Sequence, residues 1–123
     1  MMLIVDNDSL IGSVKSGIKN YSIKPDSGNR WKVGMNIEFW TANPRFKQLN
    51  PIKFGTSIVS EVFPITIDTE NNKILFNSKI ISNLDDLNNF AFNGGFENWN
   101  GMKNWFKKPF NGNIIFWKQF NKI

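Results

Sequence analysis

The sequence predicts an α+β domain, mainly β: a small curved sheet or barrel with one N-terminal helix and a helix pair before the last strand. Three observations carry this. Most periodic segments are short, alternate apolar with polar residues, and are rich in β-branched and aromatic side chains. Turn chemistry separates them, as in Pro25-Asp26-Ser27-Gly28-Asn29 and Glu70-Asn71-Asn72. Few segments carry a helical pattern, and two of them, 83–95 and 98–106, stand back to back.

Each element has a local reason. Asn7 or Asp8 can cap a first helix; Leu10, Ile11 and Val14 form its apolar stripe and Gly17 ends it. Residues 21–24 read as a short strand and 25–29 as a loop. Residues 36–41 form a strand with Ile37, Phe39 and Thr41 on one face and Asn36, Glu38 and Trp40 on the other. The stretch 42–54 is basic, contains proline and reads as a loop. Residues 56–69 form a strand bent or broken near Pro64, because proline cannot donate to a ladder. A hairpin turn at 70–72 leads into 73–76. Asn83 opens a helix whose first turn holds Asp85 and Asp86, matching the helix dipole, and Gly94-Gly95 ends it. A second helix, 98–106, turns Trp99, Met102 and Trp105 or Phe106 inward. Residues 113–120 make the closing strand, which returns beside the first.

The 123 residues suffice for one domain spanning 1–123, and 41% hydrophobic content supports a core. Without cysteine or histidine, thiol catalysis, disulfides, His-based metal sites and Ser-His-Asp chemistry are excluded. No cofactor or metal is expected. The start, Met1-Met2-Leu3-Ile4-Val5-Asp6, is too short for a signal peptide or membrane span, so a cytoplasmic protein is expected. The net charge is +5 and uneven: residues 19–53 carry seven basic and two acidic groups, residues 97–123 five Lys and one Glu, and the middle is acidic. Two basic blocks that converge on one face suit nucleic acid. Abundant Asn, Lys, Ile and Phe also match AT-rich codons, so part of the lysine content is ordinary solvated surface.

The chemistry-bearing spacing lies in Gly17-Ile18-Lys19-Asn20-Tyr21-Ser22-Ile23-Lys24, where a helix hands over to a strand. A turn can bring Lys19 onto the side of Ser22, and a lysine beside a hydroxyl either holds phosphate or activates a nucleophile. With no histidine, only a desolvated lysine can serve Ser22 as base. Lys24, Arg30 and Lys32 flank the same opening. Trp40, of one parity with Glu38, offers a stacking face; Trp31 reads as core, and Trp99, Trp105 and Trp117 as core or helix-to-sheet contacts. Arg45, Lys47 and Lys53, interleaved with Phe46, suit single-stranded nucleic acid or a plain surface loop. Glu61, in an apolar alternating run, faces outward or is a buried partner for a cation such as Lys19.

The run 17–24 resembles the G-x-K-x-x-T-I-R signature of ASCH domains. Trp31-Lys32-Val33-Gly34-Met35-Asn36-Ile37-Glu38-Phe39 resembles the W-x-x-G-x-x-I-x-F that follows it, and Phe90-Ala91-Phe92-Asn93-Gly94-Gly95-Phe96 the A-x-x-E/D-G-F helix end. The resemblance spans about residues 10–120. It implies a PUA-like β-barrel linked to RNA, with Lys19 at the family lysine and Ser22 at the threonine. Lys24 replaces the usual Arg, losing bidentate geometry. The family acid falls at or next to Gly94, where this chain has no carboxylate; Glu61 or Glu97 would have to substitute. The expected function is binding RNA, or a nucleotide or modified nucleoside, in a basic cleft. Lys19, Ser22, Lys24, Arg30, Trp40 and Arg45 would be its ligand contacts. One alternative is a small amidohydrolase for an N-acylated cytidine-type substrate, with Lys19, Ser22 and Glu61 catalytic. Another is a protein-interaction module, phage-borne, with a vestigial cleft.

Overall fold

The computed structural model describes residues 1–25 and 28–123. The chain runs β1 (Met2–Ile4), α1 (Asp8–Ser16), β2 (Tyr21–Lys24), β3 (Asn36–Trp40), β4 (Lys53–Asp68), β5 (Lys73–Phe76), β6 (Lys79–Ile81), α2 (Leu84–Asn93), α3 (Trp99–Phe106), β7 (Phe110–Trp117) and β8 (Asn121–Lys122). Asparagine side chains start all three helices. Asn7 Oδ1 accepts from the backbone N–H of Ser9 at 2.8 Å, Asn83 Oδ1 from Asp85 at 2.9 Å and Asn98 Oδ1 from Gly101 at 2.9 Å. Gly17 closes α1 at φ 84°, a conformation that costs other residues steric strain.

Among the described residues, eight strands form one sheet organised by β4. β4 pairs with β3 and β8 along its first half and with β7 and β5 along its second. β2 pairs antiparallel with β7, Ser22 opposite Ile115, so the late strand does return beside the early one. The order along the main body is therefore β1-β3-β4-β7-β2, with β5 and β6 extending the far end.

Several expectations need correction. β1, β6 and β8 carry too few residues to show a period, and the sequence reading passed over them. β4 is unbroken at Pro64. That residue lies one position before the β5 ladder starts at Ile65, where only β7 needs a partner. The irregularity in β4 falls instead between Val59 and Glu61. Within the predicted 25–29 loop, Asp26 and Ser27 lie outside the described residues. The barrel does not close. β1 pairs with β3 and β2 with β7, but no ladder joins β1 to β2, so the seam between them stays open.

Two cores sit on opposite faces of the sheet. One gathers Leu3, Val5, Val14, Trp31, Ile37, Phe39, Phe54, Val59, Ile115 and Trp117 beneath α1. The other packs Tyr21, Ile65, Ile67, Ile74 and Ile114 against Leu87, Ala91, Trp99 and Met102 of α2 and α3. Consecutive residues of β7 thus serve different cores. Ile114→Ala and Ile115→Ala are each expected to cost about 2–5 kcal/mol, read by urea denaturation; a strand buried on one face would show that loss at one position only.

Candidate functional site

A cleft of about 410 Å³ lies along the open seam. Residues 3–6 wall one side and 21–24 the other; Asn7, Ser9 and Leu10 of the α1 start, Gly94 to Phe96, and Trp105 and Phe106 complete it. β1 and β2 each lack a second neighbour, so their outer main-chain groups border this cleft.

The alternation of β2 sorts its side chains. Tyr21 and Ile23 pack toward the α2–α3 core, while Ser22 and Lys24 take the opposite face, half-buried in the cleft wall. Lys19 reaches the same cleft from the α1–β2 link. Its Nζ donates to the Gly94 carbonyl at 2.7 Å and stands 5.4 Å from the centre of the Tyr21 ring. Both contacts favour a cation, the first at the carbonyl end of α2 and the second at a ring face. The Tyr21 hydroxyl donates to the Phe90 carbonyl at 2.7 Å, and burial pushes its ionisation upward.

Burial, and then the charge of Lys24, lower the Lys19 pKa to about 8; burial also lowers that of Lys24. Lys19 is therefore mostly charged near neutrality and held where charge is costly. Among the described residues no hydrogen bond joins the Lys19 ammonium to the Ser22 hydroxyl, although both line one hollow.

Other expected contacts lie elsewhere. The Trp40 indole N–H donates to Glu38 at 3.3 Å, and Glu38 pairs with Lys53 at 3.0 Å on β3 and β4, outside the cleft lining. Arg30 and Arg45 are exposed and also outside it; the Arg45 backbone N–H donates to Asn43 at 3.0 Å. Glu61, which the bulge separates from the face of Val59, is exposed, so it is no buried partner for Lys19. Glu97 is exposed and outside the lining as well.

Two lining residues escaped sequence reasoning. Trp105, expected inward or as a helix-to-sheet contact, is 72% exposed at the cleft, 6.4 Å from the Phe96 ring. Phe106 takes the inward place, its ring 4.9 Å from Phe110. Among the described residues Asp6 is the carboxylate of the cleft lining, and it lies on the link between β1 and α1, which carries no readable period. Among the described residues no cluster of three or more carboxylates could hold a metal ion, and no helix is long and apolar enough to cross a membrane.

Comparison with known proteins finds no matching family model, no matching curated protein and no matching solved structure.

The unfolded chain leaves Lys19 at 10.5, so between about 8 and 10.5 the unfolded state binds more protons. The destabilisation by the buried charge is full below that window, and stability rises with pH across it. Urea denaturation on either side of the window measures the rise, and Lys19→Met is expected to flatten it. Lys24→Gln removes the neighbouring charge and is expected to move Lys19 upward from about 8, read by NMR titration of labelled lysine.

Proposed function

We propose that the open seam binds RNA, or a nucleotide or modified nucleoside, as the ASCH resemblance implies. One observation carries this reading: Lys19, Ser22 and Lys24 share one cleft with an exposed indole, Trp105. Lys24 and Lys19 meet phosphate. An anion also relieves the repulsion between the two ammonium groups, so binding takes up protons near pH 8. The Ser22 hydroxyl and the unpaired edges of β1 and β2 offer hydrogen bonds to a base edge. Stacking falls to Trp105 in place of Trp40.

The cleft volume, about 410 Å³, lies in the range of single small-ligand sites. Lys19→Ala and Lys24→Ala are expected to weaken nucleotide or RNA binding, with smaller losses at high salt. Trp105→Ala should cost about 1–3 kcal/mol, roughly 5- to 150-fold in Kd, while Trp40→Ala leaves Kd unchanged. Titration calorimetry at two salt concentrations decides; affinity indifferent to salt and to Trp105 defeats the reading.

Asp6 favours a second reading, because it brings a carboxylate into the cleft of Lys19 and Ser22. In that case Lys19 is the base, Ser22 orients or attacks, and Asp6 handles the proton in hydrolysis of an N-acylated cytidine-type substrate. Release of acetate from N4-acetylcytidine, lost in Lys19→Ala and in Asp6→Asn, is the expected result for this reading.

A further inference from the structure

A second cleft, of about 390 Å³, adjoins the first, and Lys19 lines both. Its walls are the C-terminal turn of α1 with Gly17, the link residues Lys19 and Asn20, and residues 117–120 leaving β7. Among the described residues its charged lining is Lys15, Lys19 and Lys118, with no carboxylate. The two basic blocks of the sequence meet here, Lys19 from one and Lys118 from the other.

The walls are held in place. The Lys15 ammonium stands 5.7 Å over the Phe54 ring. Buried Ser57 donates to the carbonyls of Lys118 and Gln119, at 3.0 and 3.1 Å, and the Lys118 N–H donates to Ile58 at 2.9 Å. The carbonyl end of α1 opposes an anion with roughly half a negative charge, which the two charges of Lys15 and Lys118 outweigh.

Two adjoining basic hollows with one lysine between them match a ligand whose negative charge repeats. A mononucleotide occupies one hollow; a strand carries a next phosphate to the other. We propose that the second cleft takes the neighbouring phosphodiester of a single-stranded oligonucleotide whose one nucleotide sits at the open seam, so that the ligand is a strand. This rests on the binding reading above.

The test compares uridine monophosphate with an oligouridylate series up to the octamer, by calorimetry and fluorescence anisotropy. It uses the full chain and a Lys15→Gln/Lys118→Gln double variant, which keeps the aliphatic stems and removes both charges. The oligomers are expected to bind at least about tenfold tighter than the monophosphate. The double variant should lose that gain and leave monophosphate binding unchanged. Its log–log salt slope for the octamer should be shallower by up to about 1.4, from roughly 0.7 per lost phosphate contact. If length brings no gain, or the double variant weakens both ligands equally, the second-cleft proposal is overturned and the seam reading stands. If neither ligand binds the full chain, both fall.

Discussion

A strand of 16 residues that changes cores along its length governs the architecture. The first half of β4 buries Phe54 and Val59 under α1, and the second half buries Ile65 and Ile67 under α2 and α3. The parity of its buried side chains switches at the bulge between Val59 and Glu61, where the ladder to β7 slips; beyond it Val62 still packs on the first core and Phe63 on the second. A bulge adds twist and bend, so β3 and β7 leave the same strand in different directions. Their outer neighbours, β1 and β2, come to face each other without pairing. The open seam, and with it the cleft, follows from how β4 is shared.

The chemistry of the seam follows from that geometry. A cation beside an unpaired sheet edge is partly desolvated, and Lys19 is stabilised there by the Gly94 carbonyl and the Tyr21 ring. The neighbouring Lys24 adds repulsion, and among the described residues no carboxylate is bonded to either ammonium. Such an arrangement favours an incoming anion more than an exposed lysine pair does, because low local dielectric strengthens the attraction.

Gly94 also makes room for Tyr21. A Cβ built at that residue meets the Tyr21 hydroxyl, so the space an acid would enter is filled by the phenol. Tyr21 in turn is tied to the Phe90 carbonyl and stacked on the Phe90 ring at 4.8 Å. Asp6 approaches the cleft from the link between β1 and α1.

Local rules alone determined the helix boundaries, because an asparagine cap or a glycine at positive φ acts within one turn of chain: Asn7, Gly17, Asn83 and Asn98 were all readable. They also determined the faces of β2 and β3, since alternation needs no partner, and so the pairing of Ser22 with Lys24 on one side. Tertiary structure decided what local rules cannot reach. Three strands too short to show a period were recruited by edges already present. Of the two places the sequence left open for Glu61, outward or buried beside a cation, the structure takes the first. Whether Trp105 or Phe106 turned inward depended on Phe110, which meets Phe106 only once β7 is in place. The seam itself is a failure of two edges to meet, a property of the whole curled sheet, and no segment of the sequence encodes it alone.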